Sequence, residues 1–350
     1  MDSHKYDINW QASVKPLLVR DGRRHIQEPS LAVLQVLLLD DLLTASRSGN
    51  QQPESSRQHS SRGKYRLAFI LFTSGSSGKP KGVLLEHAGL INMAMHCKHA
   101  WGCRPSDVHL QAASVSFDAL FLEFLVPMCL GGCTAILPPG AQMDPEAAVQ
   151  RMSGYPITTL FGVPSLLHAW LAAGLTQSTC PLLRRVLVGG EACRAPLVRQ
   201  ILDSLPEATV INCYGPAEAS VFVANQAFSK QRHHCAAPGG CAVSPPPDAT
   251  SVISIGCPII NVSIHILDQQ QKLVPVRVAG EICISGLCLA RGYAGLADLS
   301  EASFVPNPFC SAGPNSRLYK TGDLGRWRHD GTIEIIGRAD RQVLSPLATS

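Results

Sequence analysis

The chain has no paired CxxC spacing, no marked charge imbalance, no long uninterrupted apolar run and no basic start followed by an apolar core. Each absence removes a class of function. A net charge of +4 over 350 residues is too small and too dispersed to argue for nucleic acid or an anionic membrane as a partner. The opening MDSHKYDINW predicts no secretory signal. In the most membrane-like stretch, 119–137, Glu123, Pro127, Gly131 and Gly132 interrupt the apolar run and Asp118 stands at its edge. That stretch reads as a buried helix feeding a buried strand. The 13 cysteines are odd in number, and a zinc cluster of His233, His234, Cys235 and Cys241 fits no standard ligand spacing. Most of the others, including Cys129, Cys133, Cys283 and Cys288, lie in apolar runs and read as small buried thiols. Reduced thiols in a cytoplasmic protein suit this pattern better than a disulfide framework.

What is present is an ordinary soluble composition, 45% apolar and 16% charged, over a length that suits two globular domains or one large one. Two short apolar strands are expected at 16–19 and 33–39. A Ser-, Gln- and Arg-rich stretch at 44–64 reads as a mobile surface loop. Strands are then expected at 134–137, 158–161, 185–188 and 209–212, with helices at 164–173 and 195–205 between them. This alternation predicts a parallel sheet covered by helices. The segment 229–249, rich in Pro, Gly, Cys and His, reads as an inserted loop. Beyond it, 251–266, 279–284 and 331–336 have the β-branched character of short strands joined by turns.

The most informative run is FTSGSSGKPKG, residues 72–82, placed directly after the apolar stretch 67–71. The stretch reads as a buried strand and the polar run as a loop leaving its carboxyl end, where open α/β sheets place ligands. Gly75, Gly78 and Gly82 let the backbone approach a ligand, Thr73, Ser74, Ser76 and Ser77 offer hydroxyls, and Lys79 and Lys81 offer positive charge. A polyphosphate is the natural guest. A flexible linker is the bland alternative, yet linkers seldom leave an apolar strand and re-enter an apolar run such as 82–85. The nucleoside triphosphatase P-loop is another, but Thr73 holds the position of its first glycine and Pro80 follows Lys79, so that pattern fails.

TSGSSGKPKG resembles the signature loop of the adenylate-forming (AMP-binding) superfamily, which includes acyl-CoA synthetases, luciferases and the adenylation domains of nonribosomal peptide synthetases. Four further blocks follow in the family's order: NCYGPAEAS (212–220), GEICISGLCLARGY (280–293), YKTGDLGRW (319–327) and IGRADRQV (336–343). The wording of the last three, with SFVPNPF (303–309) between them, is closest to the peptide synthetase branch. The resemblance implies an α/β fold of parallel sheets layered with helices, followed by a small β-rich subdomain. It divides the chain into a remnant of a first α/β subdomain (1–43), a mobile loop (44–64), an AMP-binding α/β core (65–228), an inserted loop (229–249), the β-rich subdomain (250–336), and a hinge remnant with a divergent tail (337–350).

The resemblance also implies roles, residue by residue. Thr73, Ser74, Gly75, Ser76, Ser77, Gly78, Lys79 and Lys81 would handle the β and γ phosphates of ATP, by electrostatic positioning. Glu218 would hold magnesium, whose preference is for hard carboxylate oxygen, and Thr73, Lys81 and Glu218 together form the expected catalytic set. Tyr214 would stack on adenine beside Gly215, while Gly189, Gly190 and Glu191 would line the adenine and substrate sites. Asp323 would accept both ribose hydroxyls, Arg338 would approach the ribose and α-phosphate, and Asp340 would fall on the hinge. SFDALFLE (116–123) resembles the block whose aspartate grips an α-amino group, which puts Asp118 in that place. Helix capping is the alternative role for Asp118. The remaining pocket positions, Leu122, Phe161, Leu187, Gly189, Cys213, Val221 and Phe222, are apolar and suit a small or apolar side chain.

Ala217 stands where the family has threonine, and the missing hydroxyl predicts reduced activity. The resemblance further implies truncation at both ends, with the C-terminal subdomain and its catalytic lysine lacking. The expected function is ATP-dependent activation of a carboxylic acid as an acyl-adenylate for thioester formation on a phosphopantetheine carrier or CoA, impaired by truncation. Asp118 makes an amino acid the expected acid. Two alternatives stay open: an acyl-CoA synthetase acting on an aryl or acyl acid, and a non-catalytic nucleotide-binding fragment.

Overall fold

The computed structural model describes residues 66–73, 80–138, 140–230 and 252–339. The strands expected at 16–19 and 33–39, the 44–64 loop, the run Ser74 to Lys79, the Cys235/Cys241 loop and the tail from Asp340 lie outside the described residues. Leu67–Thr73 (β1) and Lys81–Glu86 (β2) form an antiparallel hairpin in which Thr73 faces Lys81. The helix His87–Ala100 (α1) follows directly, burying Leu90, Met93, Ala94 and Cys97 at helical spacing and carrying Lys98 and His99 at its dipole-favoured last turn.

A seven-stranded sheet comes next. In spatial order it contains Cys133–Ile136 (β4), Val108–Gln111 (β3), Thr159–Gly162 (β5), Arg185–Val188 (β6), Thr209–Tyr214 (β7), Ala224–Phe228 (β8) and Cys257–Pro258 (β9). The first five run parallel; β8 pairs antiparallel with β7, and β9 antiparallel with β8. All four residues of β6 are buried, as expected of a central parallel strand covered on both faces. Successive side chains alternate between the faces, and the register places Phe161, Leu187 and Ile211 side by side. Those three, with Cys213, face the cluster that includes Leu90, Met93, Phe121 and Leu122. Leu160, Val186, Val188 and Val210 face the opposite cluster.

A short helix, Val126–Leu130 (α2), continues a π-helical stretch at Phe121–Leu125 and packs on the first face. Three more cover the other: Pro145–Met152 (α3), Pro164–Ala172 (α4) and Ala195–Ser204 (α5). Each carries proline in its first turn, where no backbone donor is needed. Asp144 caps α3 by accepting from the Ala147 amide at 3.1 Å. In α5, Leu197, Val198, Ile201 and Leu202 recur with the helical period and are all buried. No helix of the described residues is long and apolar enough to cross a membrane.

The small antiparallel sheet comprises Val262–Leu267 (β10), Gly280–Gly286 (β11), Phe304–Pro306 (β12), Arg317–Trp327 (β13) and Ile333–Arg338 (β14). The helix Ala297–Ser303 (α6) leads into β12. Asp323 of β13 pairs with Arg338 of β14 across the ladder.

Four expectations need correction. The stretch 67–71 is not a buried strand of the parallel sheet. Leu67, Phe69 and Ile70 are exposed and only Leu71 is buried, because β2 turns Val83 and Leu85 into the core and pairs on its other side with 291–294. This leaves β1 as the outer strand of its hairpin. The strand at 133–136 is half exposed because it lies at the sheet edge. Cys283 and Cys288 are buried thiols as expected, but Cys129 and Cys133, at the end of α2 and the start of that edge strand, are exposed. Cys257 is disulfide-bonded, against the expectation of reduced thiols throughout.

His96 on α1 is fully buried, accepts or donates at 3.0 Å to Asn225, and meets the Trp101 and Phe222 rings edge-on. Burial lowers its pKa from 6.5 to about 4. The unfolded chain therefore takes up a proton that the folded chain refuses, and stability is lost as pH falls from 6.5 towards 4. Denaturant unfolding at pH 7 and pH 5 should show the parent losing on the order of 2 kcal/mol more than His96→Gln. Equal losses would mean that His96 is not a buried neutral imidazole.

Candidate functional site

The expected site residues gather at the carboxyl ends of the parallel strands, the edge where open α/β sheets bind ligands. Phe161, Leu187, Cys213 and Tyr214 lie in the last turns of β5, β6 and β7, and Gly189, Gly190 and Gly215 follow β6 and β7. Crowding explains two of these glycines. A Cβ on Gly189 would lie 3.0 Å from the Cys213 carbonyl and 3.3 Å from the Phe161 ring, and one on Gly215 only 2.4 Å from the Phe222 Cα. The chain then turns through two left-handed residues, Ser220 and Val221. A β-branched residue there is strained. The turn is held by Ser220 Oγ donating to the Cys288 carbonyl at 2.7 Å and by the Val223 amide donating to Tyr214 at 2.8 Å. Phe222, expected on the pocket wall, is buried and stacked on Trp101 with centroids 5.0 Å apart.

The residues expected to handle phosphate come together where β2 meets the turn after β7. Lys81 Nζ lies 3.4 Å from Glu218 Oε1 and 4.6 Å above the Tyr293 ring. The Tyr293 hydroxyl donates to the same Glu218 oxygen at 2.8 Å and lies 3.3 Å from Lys81 Nζ. At the end of β1, opposite Lys81, the Thr73 hydroxyl is buried and has no hydrogen-bond partner among the described residues. An orphaned buried hydroxyl costs about 1–3 kcal/mol unless something satisfies it. With a buried carboxylate and a lysine beside it, the donor set fits a phosphate chain accompanied by a hard cation such as magnesium. Ser74 to Lys79 connect the two strands outside the described residues.

Among the residues expected to hold the nucleoside, the Tyr214 hydroxyl donates to one oxygen of Asp323 and Arg338 donates to the other at 2.6 Å. Burial and the Asp323 charge push the Tyr214 phenol up, so it stays a donor. Glu191 turns away from this group and accepts from the Ser165 amide and hydroxyl at the start of α4.

Asp118 is half-buried on the turn before the π-helical stretch, which carries Leu122 into the core. Burial raises its carboxyl to about 6, and the Glu218 charge adds to the rise, while the Ala119 and Asp118 amides oppose it. Asp118 does not cap the stretch, whose N-cap is Leu120 with no side-chain cap bond; the charge effect ties it electrostatically to Glu218.

Three features were missed from the sequence. Tyr293 ends the LARGY run, and no local pattern there foretells its contact with Glu218, 75 residues away. Glu123 is buried, accepts from the Ala112 and Ala113 amides, and is raised to about 8 by burial. Cys103, Asp107 and His109 bring ligand atoms within 4.8 Å of one another. That cluster is structural, because Arg184 and Arg185 take one Asp107 oxygen each and a cation would meet two guanidinium charges. Burial alone would raise Asp107, but the Arg104 amide and both arginines hold it below the usual carboxylate range.

The family model described as AMP-binding enzyme matches residues 12–294. Indigoidine synthase of Dickeya dadantii (strain 3937) is 37% identical over 326 residues, covering 91% of this chain and 21% of that protein. Among solved structures, an NRPS protein containing adenylation and PCP domains superposes with TM-score 0.67 at 29% identity, covering 80% of this chain and 52% of that one. A nonribosomal peptide synthetase in its α-methyl-L-serine-AMP bound form gives TM-score 0.69 at 25% identity, covering 80% and 29%. The chain spans about a fifth of the length of the synthase it matches.

The crowding at Gly215 makes a direct forecast. Gly215→Ala drives a methyl group into backbone atoms that cannot swing aside, so thermal unfolding should show a loss of about 1–3 kcal/mol. An unchanged melting midpoint would mean that the turn through Val221 and Phe222 is looser than described.

Proposed function

Since the chain belongs to the AMP-binding enzyme family, we propose that it activates an amino acid as its aminoacyl-adenylate, for transfer to the thiol of a phosphopantetheine carrier. The observation that carries this reading is the pairing of Lys81 with Glu218, with Thr73 opposite Lys81 in the hairpin, together with the bond between Tyr214 and Asp323. A triphosphate and a nucleoside need those two sets of groups. The solved relatives support the acceptor and the substrate class, one by containing a PCP domain and one by holding an amino acid adenylate.

In the reaction, an oxygen of the substrate carboxylate bonds to the α-phosphorus of ATP while the bond to the bridging oxygen breaks and pyrophosphate leaves. Lys81 and the Thr73 hydroxyl would hold the phosphate chain, whose charge must be neutralised before a second anion approaches. Glu218 would hold magnesium, which supplies further neutralisation of the leaving pyrophosphate. Tyr214 and Asp323 would fix the nucleoside; ribose hydroxyls would compete there with the Tyr214 and Arg338 donors already on Asp323. Asp118 would receive the substrate ammonium, and Leu122, Phe161, Leu187 and Cys213 would surround the side chain. A carrier thiol would then displace AMP from the acyl carbon.

Two measurements bear on this. Titration calorimetry should show ATP binding weakened about tenfold or more in both Lys81→Ala and Asp323→Ala, since each removes a hydrogen bond to a charged group. Undiminished affinity in both would reject the nucleotide site. The second concerns the acid. An amino acid should be preferred to its deaminated analogue by about tenfold to a hundredfold, and Asp118→Ala should erase that preference. The ammonium needs ionised Asp118, so binding should weaken as pH falls below about 6. Equal use of both acids by the unmutated protein would move the assignment to an aryl or acyl acid.

A further inference from the structure

We infer that Tyr293 is a positioning residue of the nucleotide site, its phenol setting Glu218 and Lys81 in the arrangement that receives a metal-bound triphosphate. The inference rests on the nucleotide reading above. It goes beyond it by giving work to a side chain outside the expected site.

The backbone around Tyr293 is fixed from three directions. Residues 290–294 run alongside β2, with the Leu84 amide donating to Gly292 at 2.9 Å, the Arg291 amide to Leu84 at 2.9 Å, and the Ala294 amide to Gly82 at 2.8 Å. The Ala290 amide donates to the Glu218 carbonyl at 2.8 Å. Arg317 donates to the carbonyls of Ala290 and Arg291, both at 3.0 Å, and the Tyr293 amide donates to Ser300 Oγ at 2.8 Å. One short segment is thus bonded to the strand that carries Lys81 and to the main chain of Glu218 itself. Its phenol then meets both side chains, at 2.8 Å from Glu218 Oε1 and 3.3 Å from Lys81 Nζ.

The chemistry gives this contact a purpose. Lys81 and Glu218 carry opposite charges 3.4 Å apart, and without the Tyr293 phenol, itself bonded to Tyr319 which also reaches Glu218, they are freer to satisfy each other and swing as a pair. When a phosphate chain draws Lys81 away, Tyr293 still donates to Glu218 and keeps its carboxylate facing the site. The ring remains under the lysine as a weaker anchor. The edge of the ring packs on Phe304, with centroids 5.7 Å apart, so the phenol cannot rotate out without disturbing β12.

The test compares two ligands. Tyr293→Phe keeps the ring and removes only the hydroxyl. By calorimetry, ATP with magnesium should bind about tenfold more weakly to this variant, whereas AMP without magnesium, which relies on Tyr214 and Asp323, should bind as before. Tyr293→His, which restores a ring N–H, should recover part of the loss. In a Glu218→Gln background, removing the hydroxyl should add little, because the two act as one unit. Equal affinity of the Phe variant for ATP with magnesium would overturn the inference. So would an equal loss for AMP, additive losses in the double variant, or a Phe variant that no longer folds, since each assigns the hydroxyl to general stability. Failure of the unmutated protein to bind ATP at all is a different result, and it rejects the nucleotide reading together with this inference.

Discussion

A carboxylate taken out of water must find donors or positive charge inside the protein, and Glu218 meets that demand with groups from distant parts of the chain. Lys81 comes from the hairpin, Tyr293 from the segment after β11, and Glu218 itself from the turn after β7. Much of the first sheet face is arranged to let these three meet. The β2 strand has to lie flat against 290–294, and the turn after Glu218 has to pass through two left-handed residues to bring β8 back along β7. The strain at Val221 is held by hydrogen bonds from both of its neighbours' surroundings, so it persists where an isolated peptide would relax.

The two faces of the large sheet divide the labour. The face formed by Leu160, Val186, Val188 and Val210 is closed by α3, α4 and α5 and contains no expected site residue. The other face is shared between the core and the site. Because side chains alternate along a strand, a residue two positions from a core residue necessarily looks the same way. Ile211 packs in the core and Cys213 reaches the site edge by the same alternation. Phe222 was assigned to the pocket by its place in a motif, but its ring is spent on Trp101 and His96. Its backbone presses against Gly215.

The regular elements were legible where period and punctuation agreed. The expected strand 185–188 coincides with β6, and the helices expected at 164–173 and 195–205 end within one residue of α4 and α5, each opened by a proline. Helix α1 was not foreseen, since its polar and apolar residues are poorly segregated and it begins without a capping side chain. Strand β1 was read as a core strand because five apolar residues in a row look the same in the core and at an edge. The motif blocks singled out Lys81, Glu218, Tyr214 and Asp323, which the fold joins in two bonded groups, whereas Tyr293, Glu123 and the Asp107 ion pairs depend on contacts between residues remote in sequence. Arg184 and Arg185 reach Asp107 from 77 and 78 positions away, a pairing no local pattern encodes.

Two acids close in sequence, one on a turn and one in the π-helical stretch that follows, illustrate how the fold separates groups that residue type leaves equal. Glu123 and Asp118 are five residues apart, yet burial raises Glu123 to about 8 and Asp118 only to about 6. Glu123 accepts from the Ala112 and Ala113 amides, which oppose the rise and fix the segment that leads into the Asp118 turn. The Asp118 rise is opposed by the Ala119 and Asp118 amides and reinforced by the Glu218 charge. Environments that drive neighbouring carboxyl pKa values apart are how a protein sorts acids into structural and functional duties. Here burial is the leading cause for both acids, and it raises Glu123 further than Asp118.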